Sequence, residues 1–113
     1  MLSVQEVRLL ALSFPETDAH PHFERTAFRV KKKIFATLSA KDMTVSLKLS
    51  LAEQSVFCAF DKTVFFPVPG GWGKMGYTLV NLKKVRKAMF RDALTVAYCN
   101  VAPPILAAKY HRG

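Results

Sequence analysis

Two kinds of residue in this 113-residue chain suit chemistry with a polyanion: clustered cations, and one large aromatic ring set among glycines. Arg29, Lys31, Lys32 and Lys33 lie almost consecutively, and cations so placed can neutralise neighbouring phosphates on a nucleic-acid backbone. Lys74 follows Gly70-Gly71-Trp72-Gly73, a stretch whose backbone amides can also receive an anion. Trp72 has two readings. On an extended loop its indole can stack on a base, with Lys74 beside it for phosphate. Folded back, it plugs the core beneath the loop, and the plug is the expectation for the chain's one Trp.

A further stripe, Lys83, Lys84, Lys87 and Arg91, falls within about 100° of arc at the helical repeat, opposite Val85, Met89, Ala93 and Val96. A solvated helix face accounts for it. Three of these cations nevertheless fall near the expected helix N-terminus, where the macrodipole disfavours positive charge, and that points towards an external anion.

Metal and catalytic chemistry find little support. His20-Pro21-His22, with Asp18 and Glu24 nearby, offers two imidazoles but no thiolate, so no metal site and no cofactor are expected. No Gly-x-Ser-x-Gly, Walker loop or dinucleotide fingerprint is present, and the Gly70-Gly71-x-Gly73 run leads into a strand pattern rather than a helix. Cys58 and Cys99 sit in apolar helical patterns, where thiolate formation is disfavoured; they read as small hydrophobes in a reducing compartment. No catalytic residue is assigned, and the chain is read as a non-enzyme.

The elements that must position these groups follow from patterning. Half of the residues are hydrophobic and nine are Phe, so one domain over residues 1–113 has ample core material. Seventeen Lys and Arg against eight Asp and Glu give +9, in the range that attracts polyanions. The apolar runs are too short to span a bilayer, and Glu6 and Arg8 interrupt the N-terminal stretch, which excludes a signal peptide there; the cytoplasm is the expected compartment.

Ser3-Val4-Gln5-Glu6 has the form of a capping box and opens a helix over 4–13, stopped by Pro15. Residues 17–23 read as a polar turn region. Strands are expected at 26–30 and 34–39, with Lys31-Lys32-Lys33 as the hairpin turn, and at 43–49, completing a three-stranded meander. Ser50-Leu51-Ala52-Glu53 opens a second helix with Phe57 and Phe60 on its apolar face. Strands at 64–68 and 77–80 flank the Gly-rich loop, and Asn81 is expected to cap a long helix over 82–98. Helices beside a continuous antiparallel sheet give a two-layer α+β architecture, the helices packed on one face.

His22-Phe23, Phe28-Arg29-Val30, Lys33-Ile34-Phe35-Ala36, Leu47-Lys48-Leu49 and above all Phe66-Pro67-Val68-Pro69-Gly70-Gly71-Trp72-Gly73 with Gly76-Tyr77-Thr78 resemble the MmcQ/YjbR family of bacterial proteins. The resemblance runs along nearly the whole chain and implies a CyaY-like, frataxin-like α+β fold. It also implies DNA binding, the label such proteins usually carry. The turn after Val30 is commonly Gly-rich in that family, whereas Lys31-Lys32 stands here.

The reading from sequence is therefore a monomeric or weakly dimeric protein that binds DNA non-specifically. Arg29, Lys31, Lys32, Lys33 and Lys74 contact phosphates in that reading, and Trp72 is a candidate stacking group. Two rival readings use the same loop: a module for an acidic protein partner, and a small-ligand pocket lined by Phe35, Lys48 and Tyr77.

Overall fold

The computed structural model describes residues 1–110. Ser3 caps α1 (Val4–Leu12) through a complete capping box: its hydroxyl accepts from the Glu6 amide, and the Glu6 carboxylate accepts from the Ser3 amide. Ser50 and Glu53 repeat that exchange at the start of α2 (Leu51–Phe60). Each box satisfies amides that a helix start would otherwise leave unpaired.

Six strands form one antiparallel sheet: β1 (Thr17–His22), β2 (Arg25–Val30), β3 (Lys33–Ser39), β4 (Thr44–Lys48), β5 (Phe65–Pro67) and β6 (Tyr77–Asn81), in the order β1-β2-β3-β4-β6-β5. This is the expected α+β class. β1 replaces the turn region expected at 17–23, so the meander has four strands. Thr17 to His22 pair residue for residue with Val30 to Arg25. The segment's polarity misleads because β1 is an edge strand, where side chains stay exposed and Pro21 is tolerated.

The β2–β3 turn is a two-residue turn. Val30 pairs with Lys33, and Lys31 and Lys32 both adopt positive φ, 50° and 67°. Such a pair fits the right-handed twist of a hairpin but suits Asn or Gly better than Lys. Lys33 thus belongs to β3 and not to the turn.

A bulge follows in β3. Phe28 faces Ala36 and Arg29 faces Ile34, which leaves Phe35 as the extra residue. That insertion buries the Phe35 ring on the helix side, edge-on to Phe14 and Tyr98, while Ile34 remains exposed.

The helices share one core on that same side. Tyr98 stacks on Phe14 and closes its hydroxyl on the Pro15 carbonyl at 2.9 Å, so its polar end is satisfied at no loss of packing. Phe57 of α2 meets Phe65 of β5; Phe60, expected on the same apolar face, is exposed.

The last long helix, α4 (Lys87–Val101), starts later than the pattern suggests. Asn81 does not cap it. Instead the Asn81 side chain accepts from the Lys83 amide and its carbonyl from the Lys84 and Val85 amides, which holds 82–86 in a turn. Lys83 and Lys84 therefore precede the helix and share no face with Arg91. Beyond α4, α5 (Pro104–Ala107) and a 3-10 turn (Ala108–Tyr110) return Tyr110 against Phe14 and Tyr98. No helix among the described residues is long and apolar enough to cross a membrane.

Candidate nucleic-acid interface

Strand alternation divides the sheet into two faces. Phe28, Ala36, Leu38, Val45, Leu47 and Val80 point into the core. Arg25, Ile34, Thr37, Ser46, Lys48 and Tyr77 line the other face, which holds a cleft of about 360 Å³ that His22, Val68 and Trp72 also border.

Trp72 reaches that cleft because the Gly-rich segment is not an extended loop. It closes into one helical turn, α3 (Gly71–Lys74). The Met75 and Gly76 amides are taken up by the Trp72 and Gly73 carbonyls, so they are not free for an anion. Two glycines are obligatory for close approach. A Cβ on Gly73 would run into the Val68 carbonyl, and one on Gly76, where φ is +105°, into the Leu49 carbonyl. From beneath, the buried Gln54 amide donates to the Gly73 carbonyl at 3.0 Å and to the Tyr77 carbonyl at 3.1 Å.

The outcome for Trp72 corrects the expected core plug: the residue is 61% exposed. The indole meets the Tyr77 ring edge to face, centroids 5.4 Å apart. Lys48 Nζ lies 5.9 Å from the centre of the Tyr77 ring. Two aromatic rings and an ammonium group thus share one end of the cleft. Arg25 and His22 stand towards the β1–β2 turn, and among the described residues no carboxylate lines the cleft.

The residues expected to contact phosphate are distributed otherwise. Arg29 grips Asp18 with two hydrogen bonds, 2.7 and 3.1 Å, and Lys31 binds Glu16 at 2.9 Å. Both carboxyls are held below the usual carboxylate range, first of all by those hydrogen bonds. Lys32 and Lys33 are exposed and have no ion-pair partner among the described residues. Lys74 lines a separate recess with Leu51, Gln54 and Pro69, away from Trp72.

Phe35, Lys48 and Tyr77 all border the cleft, but the Phe35 ring belongs to the core and offers no stacking surface. Sequence reasoning misses Arg25 and considers His22 only as a metal ligand, because the β1 edge that pairs the two has the polarity of a turn region.

Among the described residues no three His, Cys, Asp or Glu side chains converge as a metal site. Asp18, the carboxylate nearest His20 in sequence, is held by Arg29. Cys58 and Cys99 are half-buried, and burial pushes both thiols up.

Comparison with known proteins bears on the fold and family. No curated protein matches the chain. A crystal structure of Deinococcus radiodurans protein DR2400, described as a DUF419 domain, superposes with a TM-score of 0.77 at 18% identity, covering 88% of this chain and 78% of that one. At that identity the likeness concerns the fold alone. The YjbR family model matches residues 12–100, from the end of α1 through most of α4 and including every residue that lines the cleft, so the chain belongs to the YjbR family.

Proposed function

We propose that this protein binds single-stranded DNA, with little sequence preference, across the open face of its sheet. The observation that carries the reading is the cleft itself: exposed Trp72 on Tyr77, Lys48 and Arg25 alongside, and no lining carboxylate among the described residues. Rings of that kind stack on any base, and unpaired cations receive the phosphates between bases. An unpaired strand fits better than a duplex, because bases inside a duplex present no free face to Trp72.

Lys32 and Lys33 extend the positive surface at the β2–β3 turn. Arg29 and Lys31 are assigned to positioning β1, since each would have to release a carboxylate before meeting a phosphate. No chemical step is assigned to the protein. The test is anisotropy of labelled oligothymidylate against increasing salt. With Arg25 and Lys48 as two phosphate contacts, log affinity should fall with log salt at a slope of about −1.4 or steeper, at about −0.7 per phosphate for single strands.

A second reading has its own observation: a cleft of about 360 Å³ is within the size of small-ligand sites. A lone nucleotide would then bind as tightly as an oligonucleotide, whereas a strand-binding face gains affinity with length.

A further inference from the structure

Phe23 is the most anomalous residue on this surface. It sits in the turn between β1 and β2 with φ at +58°, a region that a bulky side chain seldom occupies, and the residue is 95% exposed. Local strain combined with a fully presented apolar ring contributes nothing to folding. Such outliers point towards a role outside the fold.

Its neighbours say which role. The ring stands edge-on to His22, centroids 5.0 Å apart. His22 and Arg25 flank Phe23 in its own shallow recess and also line the cleft that ends at Trp72. Phe23 and Trp72 therefore mark opposite ends of one surface, with Arg25 and Lys48 between them. Glu24 is the one carboxylate in the Phe23 recess. β2 lies three strand spacings from β6, roughly 14 Å at about 4.8 Å each; the register sets Thr26 level with Val80, which puts Arg25 four residues, roughly 13 Å, along the strands from Tyr77, so the diagonal is roughly 20 Å. At about 3.4 Å per stacked nucleotide, that distance corresponds to roughly six nucleotides.

We propose that Phe23 is a second base-stacking residue, engaging the strand about six nucleotides from the base held at Trp72 and so setting the length of DNA the face reads. This rests on the single-strand reading above. It adds a specific consequence: the Phe23 contact exists only for strands long enough to span the face.

The test compares dithymidylate with octathymidylate, binding being read from the fluorescence of Trp72. Phe23→Ala should weaken the octamer about 5- to 150-fold, the range for losing one stacked base, and leave the dimer unchanged; Phe23→Trp should restore the octamer. Circular dichroism checks that the variants fold. Undiminished octamer binding by Phe23→Ala, with the parent binding normally, overturns the Phe23 assignment alone. Equal loss for both lengths also overturns it, since a distal contact cannot affect a dimer. If Phe23→Ala instead lowers the sedimenting mass with unchanged DNA affinity, Phe23 serves self-association and the proposal fails. Failure of the parent to bind either length overturns the single-strand reading and this one with it.

Discussion

The Trp72 indole stands edge to face on the Tyr77 ring, with 5.4 Å between centroids and 88° between planes. An edge-to-face pair leaves one indole face available, whereas a buried plug would leave none. Truncating Trp72 should therefore cost little stability, about 0.5–1.5 kcal/mol for the aromatic pair. The same Trp72→Ala change should cost about 1–3 kcal/mol of single-strand affinity. Urea denaturation and oligonucleotide titration on one preparation separate the two. A stability loss of about 3–5 kcal/mol would mean that the ring is core after all.

The support beneath Trp72 is polar and buried. Gln54→Leu removes the donor to both the Gly73 and Tyr77 carbonyls. Each carbonyl keeps a backbone donor, Gly76 for Gly73 and Val68 for Tyr77, so the variant loses two hydrogen bonds and should be less stable by about 1–3 kcal/mol, at about 0.5–1.5 kcal/mol each. The α3 turn should loosen with it, shifting the Trp72 emission. An unchanged urea midpoint would show that Gln54 does not hold this turn.

Lys32 carries φ of +67° and has no ion-pair partner among the described residues, so glycine should be favoured there. Lys32→Gly should raise stability by up to about 1 kcal/mol, the lower end of the left-handed penalty for a residue with a Cβ. If Lys32 also meets a phosphate, the salt slope should flatten by about 0.7. Lys31→Gly is the contrasting change, because it also removes the ion pair to Glu16 and its gain should be smaller.

Acid should weaken the β1 edge. Glu16 and Asp18 are held below their ordinary values of 4.5 and 3.8 by Lys31 and Arg29. Depressed carboxyls stabilise the fold fully above those ordinary values. The contribution is lost as pH falls below them and through the lower folded values. A Glu16→Gln, Asp18→Asn variant should show a flatter stability profile below about pH 4.5. Profiles of equal steepness would remove these pairs as a source of acid sensitivity.

Much of this architecture is legible in the sequence, and the exceptions have physical causes. The capping boxes at Ser3 and Ser50 and the strict alternation from Thr44 to Lys48 act locally, so pattern alone locates α1, α2 and β4. β1 escapes because an edge strand needs no apolar face. The bulge at Phe35 escapes because register depends on the partner strand, and with it the fact that the Phe35 ring leaves the cleft. Asn81 has the form of a helix cap, but the same side chain serves equally well in a turn.

At the site, Lys48 and Tyr77, both expected at a ligand pocket, come together because they are paired across β4 and β6. Ion pairing by Arg29 and Lys31 is hidden in sequence. Their carboxylate partners lie 11 and 15 residues away, on or beside a strand that composition does not reveal.

The central claim is that the open face of the sheet receives a single DNA strand on Trp72, and the fluorescence of the chain's one Trp tests it most directly. Titration with octathymidylate at ~50 mM salt should quench that emission saturably, with half-saturation below ~100 μM, a range that weak nucleic-acid binders reach even at physiological salt. An Arg25→Ala, Lys48→Ala variant should flatten the salt slope by about 1.4. Emission that stays constant as DNA is added, or quenching with a salt slope indifferent to Arg25 and Lys48, would contradict the account.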